Sequence, residues 1–167
     1  MSHHAIRPAA HSDIDALRVL RNHYVANSFA TFDEVLLSEQ DMRSWLAVFD
    51  PGSPHQLWLA MDGDQLLGCA CSQPYRAHPA FRFTIETSIY VAPGQTGRRH
   101  GEQLYQTLFA FLAPHELRKA VVGIALPNEA SLALHRKLGF TEVGTFHDYA
   151  VKHGRSIRSM WMERDLA

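Results

Sequence analysis

The segment RFTIETSIYVAPGQTGRRHGEQLY, residues 82–105, decides the fold, because its hydrophobic period changes halfway along. Phe83, Thr84, Ile85, Thr87, Ile89, Tyr90 and Val91 are the β-branched and aromatic residues that favour a strand, and Pro93 with Gly94 stops it. From Gly101 onward Leu104, Tyr105, Leu108, Phe111 and Leu112 recur at steps of three and four, the spacing of one helical face. The segment therefore reads as strand, glycine-bearing loop and helix. The unpaired amides of residues 97–101 open that helix beside Arg98, Arg99 and His100. Such an end attracts phosphate through its dipole and its free N–H groups, so an anionic cofactor is expected there.

A chain of 167 residues suits one domain, 1–167, with a sizeable core. Hydrophobic residues at 46%, charged residues at 20% and a formal net charge of -1 exert no global pull toward nucleic acid or membrane. No apolar run approaches the roughly 18 residues of a membrane span, and the polar N-terminus lacks a signal-peptide core. A cytoplasmic protein is expected. Cys69 and Cys71, the two cysteines, lie two apart on an expected strand and read as small buried hydrophobes in a reducing compartment. A metal site would need more ligands nearby, so none is expected.

In chain order, Ile6 and Arg7 begin a short strand, and Ser12 or Asp13 offers the N-cap of a helix carrying Ile14, Leu17, Leu20, Arg21 and Tyr24. Ser38, with Asp41 three residues on, caps a second helix whose apolar face is Met42, Trp45, Leu46 and Phe49. Residues 56–61 and 65–72 form a hairpin across Asp62-Gly63-Asp64. After the central strand and helix, Lys119 to Leu126 reads as a buried strand. A short helix then follows from Asn128, with Ala130, Leu134 and Leu138 on one face and Gly139 at its end. Strands at about 141–151 and 157–162 close the chain around Lys152-His153-Gly154-Arg155. The order β-α-α-β-β-β-α-β-α-β-β is one mixed α/β (α+β) domain.

These elements, with ALPNEASLALHRKLGF at 125–140, resemble the GNAT superfamily of N-acetyltransferases. NHYVANSFATFDE at 22–34, the Pro74-Tyr75-Arg76-Ala77 loop, FTIETSIYV and the Lys152-His153-Gly154 turn are similar to its phosphinothricin and methionine sulfoximine acetyltransferase group. The resemblance covers nearly the whole chain. It implies a mostly antiparallel sheet flanked by helices, acetyl-CoA as cofactor, a small-molecule primary amine as acceptor, and a homodimer.

An amine attacks a thioester only when neutral, so a base is required. Glu86 occupies the position of the family's proposed base, on one strand face with Ser88 and Tyr90. The other reading of Glu86 is a salt bridge with Arg82 or Arg76. His135 stands where superfamily members carry a general acid. Otherwise it is an idle, partly exposed histidine at a helix edge. By the same resemblance Ile89, Tyr90, Val91, Gly97, Arg98, Arg99, His100, Gly101, Glu102 and Asn128 hold the cofactor, while Phe32, Tyr75, Arg76, Thr84 and Ile85 hold the acceptor. Asn128 is equally an N-cap, and the Arg-Arg-His run is equally a solvated surface patch. Phe29, Thr31 and Phe32 either wall the acceptor pocket or serve as core residues linking two helices. Tyr105 continues an apolar face and reads as core.

The chain departs from the group in two places. The usual phosphate loop is Arg or Gln, two residues, Gly, one residue, then Gly or Ala, whereas this loop is Thr96-Gly97-Arg98-Arg99-His100-Gly101. Arg99 takes a glycine's place, and glycine lets backbone approach a pyrophosphate closely. At the last turn Ser156 and Arg158 stand where Trp and Asp are common. Three functions follow from these readings: an acetyltransferase of a small amino-acid-like amine, one of a peptide or protein amine, and a binding-only relative. Nucleic-acid binding is disfavoured, since no basic stripe interleaves with aromatics.

Overall fold

The structure, a computed structural model, describes residues 4–167. Seven strands form one sheet in the order β1-β2-β3-β4-β5-β7-β6. They are β1 (His4–Pro8), β2 (Gln56–Asp62), β3 (Gln65–Pro74), β4 (Thr84–Val91), β5 (Lys119–Leu126), β6 (Thr141–Lys152) and β7 (Arg155–Asp165). The helices are α1 (Ile14–Asn27), α2 (Glu39–Leu46), α3 (His100–Leu112) and α4 (Glu129–Lys137). Every neighbouring pair of strands is antiparallel except β4 and β5, as the expected mixed, mostly antiparallel sheet requires. Among the described residues no helix is long and apolar enough to cross a membrane.

The alternation along β4 divides the molecule into two layers. Ile85 and Ile89 join Leu104, Tyr105, Leu108 and Phe109 of α3 in the larger core, whereas Tyr90 packs with Cys69, Cys71 and the apolar faces of α1 and α2. Glu86, Ser88 and Tyr90, two residues apart, thus share the α1/α2 face. Cys69 and Cys71 are buried and free, and burial pushes the Cys71 thiol up to about 12.

The fold also corrects some expected details. Ser38 and Asp41 do form the capping box of α2, each side chain accepting the other residue's backbone N–H at 3.2 and 2.7 Å. Asp13, by contrast, makes no side-chain cap on α1. Its carboxylate accepts two bonds of 2.8 Å from the Arg7 guanidinium and one from the Ala10 amide, so it ties β1 to the start of α1. That paired guanidinium, with its hydrogen bonds, holds the Asp13 carboxyl below the usual range. On α4 the buried residues are Leu132 and His135, while Ala130 is exposed. The last two strands run longer than expected, because His153 (φ 48°) and Gly154 (φ 71°) make a two-residue turn with both φ values positive.

Candidate active site

The site begins where β4 and β5 part. Their parallel pairing ends at Glu86 and Val121, although β4 runs on to Val91 and β5 to Leu126. The divergence leaves a narrow gap lined by Thr87, Ser88, Ile89 and Tyr90 on one side and Val122 to Ala125 on the other. Backbone groups on these facing edges have no partner in each other, and such groups seek donors and acceptors on a guest.

On one side the gap opens into a cleft of about 420 Å³ at the start of α3. Ile89, Val91, Gly97, Arg99, His100, Gly101, Glu102 and Asn128, all expected cofactor residues, line it. Tyr90 lines the gap itself, and Arg98 lines neither space. Gly101 fits α3 against its neighbours, since a Cβ there would come within 3.1 Å of Leu134 and 3.2 Å of Ile89. Arg99, the residue before α3, sits in the left-handed region at φ 64°. The conformation a glycine would supply is therefore retained without the glycine. Asn128 Oδ1 accepts the Ser131 amide as the N-cap of α4 and still faces the cleft. A helix start with free amides, an adjacent Arg99 and a gap edged by unpaired strand backbone suit an extended phosphorylated ligand carrying amide groups.

On the other side lies a chamber of about 210 Å³, walled by Ala30 and Phe32, by Glu86, Ser88 and Tyr90, by Gly123 and Ala125, and by Tyr149, Ser159 and Trp161. Glu86 faces it. Arg76 instead stacks on Tyr75 and Phe81, and Arg82 stacks on Phe83 and bonds the Pro79 carbonyl. The expected alternative of a Glu86 salt bridge with either arginine is not what the fold contains. Burial alone raises the Glu86 carboxyl above the usual range, as a carboxylate without a compensating cation should behave.

The wall formed by residues 28–33 is pinned from across the molecule. The buried Lys152 ammonium donates to the carbonyls of Ser28 at 2.7 Å and Thr31 at 2.9 Å, and the His153 amide donates to the Glu34 carboxylate. Desolvation lowers the Lys152 amine. Phe32 thereby serves as a chamber wall. Opposite it, β6 carries an irregularity between Phe146 and Ala150, with Asp148 at φ 48°, and Tyr149 within that stretch packs edge-on against Phe32. Ser156, one of the two departures, donates to Asp148 at 2.6 Å and so steadies the bulge. Arg158 is exposed, and nothing in the structure explains its presence.

Other expected site residues stand elsewhere. Ile85 is fully buried in the core, Thr84 pairs with Lys119 at the start of β4, and neither lines the chamber. Tyr75 reaches it only by packing on Trp161, at 6.0 Å between rings. His135 is neither exposed nor idle. It is 1% exposed, its Nδ1 donates to the Ser131 carbonyl at 2.7 Å, and its Nε2 lies 3.1 Å from the Tyr105 hydroxyl. With Nδ1 carrying the proton, Nε2 accepts from Tyr105, and desolvation lowers the imidazole further toward its neutral form. His135 therefore holds no free proton to donate. Ser159, Trp161, Tyr149 and Lys152 were not expected at the site. The signal available for Ser159 is a hydroxyl at strand alternation between the apolar Ile157 and Trp161.

The family profile "Acetyltransferase (GNAT) family" matches residues 17–140. The chain is 42% identical over 163 residues to a phosphinothricin N-acetyltransferase of Streptomyces coelicolor, covering 96% of this chain and 95% of that protein. It is 30% identical over 165 residues to an L-methionine sulfoximine/L-methionine sulfone acetyltransferase of Pseudomonas aeruginosa, covering 97% and 94%. A crystal structure of a GNAT superfamily phosphinothricin acetyltransferase from Sinorhizobium meliloti, in complex with acetyl-CoA, superposes with a TM-score of 0.91 at 28% identity, covering 100% of this chain and 90% of that one.

Proposed function

The chain belongs to the acetyltransferase (GNAT) family, and from that premise we propose that it acetylates the primary amine of a small amino-acid-like acceptor, with Glu86 as the base. The observation that carries this reading is the unpaired, half-buried Glu86 carboxylate in a chamber that joins the α3 cleft through the gap between β4 and β5. Acetyl-CoA, when bound, supplies the acetyl group as an activated thioester. The amides opening α3 and the side chain of Arg99 would hold its phosphates, and the free backbone edges of the gap would hold its amide-bearing arm. Glu86 accepts a proton from the acceptor nitrogen, directly or through water, and the upward shift of its pKa by burial makes it a stronger base than an ordinary carboxylate. Phe32, Tyr149 and Trp161 wall the chamber, and its volume of about 210 Å³ favours a small acceptor over a polypeptide. Burial of His135 against Tyr105 gives it a positioning role beneath the gap.

The exposed edge of β6, with Val143, Phe146 and Val151, is the surface that a second copy would cover in a homodimer. Buried, free Cys69 and Cys71 agree with a reducing, cytoplasmic setting. The decisive experiment measures thiol release from acetyl-CoA across a panel of amino acids and their phosphinyl, sulfoximine and sulfone analogues. Turnover of at least one small amine is expected. Binding of acetyl-CoA without turnover of any would leave the binding-only function in place.

A further inference from the structure

We propose that Ala30 sets the length of the acyl chain that is transferred, and that the enzyme uses propionyl-CoA as well as acetyl-CoA; the inference rests on reading the α3 cleft as the donor site and the chamber as the acceptor site. In the transfer the acceptor nitrogen forms a C–N bond to the acyl carbonyl carbon as the C–S bond breaks. The nitrogen's proton passes to Glu86, and CoA leaves as a thiolate that takes that proton up. The reacting carbon therefore belongs where the cleft, the gap and the chamber meet. Among the described residues Ala30 alone lines all three spaces.

The chain holds Ala30 firmly at this junction. Its amide donates to the Ser28 hydroxyl at 3.1 Å, and that hydroxyl donates to the Tyr24 carbonyl in the last turn of α1, also at 3.1 Å. On its two sides the Lys152 ammonium ties down the carbonyls of Ser28 and Thr31. With the main chain fixed before and after it, a change of side chain at Ala30 alters the space at the junction and not the path of the backbone. Ala30 is itself exposed, so a larger side chain there displaces no core neighbour.

The rest of the junction is built from short side chains as well. Ser88, Gly123 and Ala125 line both the gap and the chamber, and Tyr90, which lines them too, packs its ring on Tyr24 at 5.2 Å. A Cβ on Gly123 would stand 3.0 Å from Trp161 Cζ2, so the indole already fills the space beside β5 and leaves no slack on that side. Ala30 is thus the wall whose size is free to vary, and its single methyl leaves room for one more methylene on the acyl group. A pocket that closes on the longer of two chains one methylene apart separates them by about 10- to 200-fold.

The test joins binding to turnover. Titration calorimetry without acceptor compares CoA, acetyl-CoA and propionyl-CoA on wild type, Ala30→Val and Ala30→Gly. Thiol release with one fixed acceptor, the amine of the panel above that is turned over fastest, gives kcat/KM for each donor, and melting temperatures are recorded on the same preparations. Wild type should use propionyl-CoA within about ten-fold of acetyl-CoA. Valine fills two of the three staggered positions at χ1 and has little freedom to turn away. Ala30→Val should therefore cut the propionyl-to-acetyl ratio of kcat/KM by about 10- to 100-fold and weaken propionyl-CoA binding relative to that of CoA. Ala30→Gly should raise the ratio. A ratio unchanged within about two-fold in Ala30→Val, even with both rates lowered together, would mean that the acyl chain lies elsewhere and overturn the inference. Use of acetyl-CoA alone by wild type overturns it while leaving acetyl transfer in place, whereas turnover of neither donor overturns the acceptor reading with it. Should Ala30→Val fail to fold, Ala30→Gly decides by whether the ratio rises.

Discussion

The Tyr105 hydroxyl stands 3.1 Å from His135 Nε2, linking α3 to α4 in the interior beneath the gap. Because His135 Nδ1 must donate to the Ser131 carbonyl, the ring has one tautomer and the tyrosine is its donor. Both side chains are buried, and burial pushes the tyrosine hydroxyl's pKa up, so the pair is neutral across the physiological range.

Acid should therefore destabilise the protein through His135. Its folded pKa lies below the ordinary value of 6.5, so the unfolded chain takes up the proton first. The stability present above about pH 6.5 is lost as pH falls through the folded value. His100 and His55, also lowered by burial, add to the same slope. His135→Ala should flatten part of this acid limb and cost about 1–3 kcal/mol at neutral pH, since the Tyr105 hydroxyl loses its acceptor. Denaturant melts between pH 5 and 8 read both effects.

Lys152→Met should loosen the chamber wall. The substitution keeps the stem but leaves the carbonyls of Ser28 and Thr31 without their donor, at a cost of about 2–4 kcal/mol. Because Phe32 and Ala30 belong to that wall, acceptor KM should rise more than the KM for acetyl-CoA. Steady-state kinetics with each substrate varied in turn measures the split; equal changes would mean only general loosening.

Much of this architecture is legible in the sequence, for reasons that also explain what is not. The change from period two to period 3.6 across residues 82–105 locates β4 and α3, and Asn128 locates the start of α4. These are local signals. Lys152 is not legible, because its partners lie more than 120 residues away and a lysine in a turn reads as solvated. Tyr149 reaches the chamber from an irregular stretch of β6, which breaks the alternation on which strand reading depends. His135 shows the same limit from the other side: the resemblance locates the residue, but only tertiary packing shows that both its nitrogens are occupied.

Glu86→Gln should separate chemistry from stability. The amide preserves shape but not basicity, and turnover should fall by about 10² to 10⁴-fold while acetyl-CoA still binds. With a folded pKa raised by burial and no cation to compensate, ionised Glu86 destabilises the native state as pH rises through and above its folded pKa. The variant's melting temperature at pH 7 should therefore equal or exceed that of wild type. A lowered melting temperature with an intact rate per folded molecule would remove Glu86 from the chemistry.

Arg99→Gly tests the altered loop. Arg99 holds φ 64°, ψ 8° immediately before α3, and its carbonyl accepts the Gln103 amide, so the left-handed residue is built into the helix start. A non-glycine residue in that region costs about 1–2 kcal/mol, while glycine adds back roughly 0.4–1 kcal/mol of unfolded-state entropy. The net expectation is a melting temperature unchanged or modestly raised. Arg99→Ala removes the guanidinium but keeps a Cβ at the same φ, so it should show no such gain. The two variants together also divide the binding of acetyl-CoA between backbone and side chain. If the amides at the start of α3 carry the phosphates, titration calorimetry should find Arg99→Gly binding as tightly as wild type or tighter. A loss of about ten-fold or more in both variants, steepening at low salt, would instead assign the phosphate contact to the guanidinium, which then compensates in charge for the missing glycine.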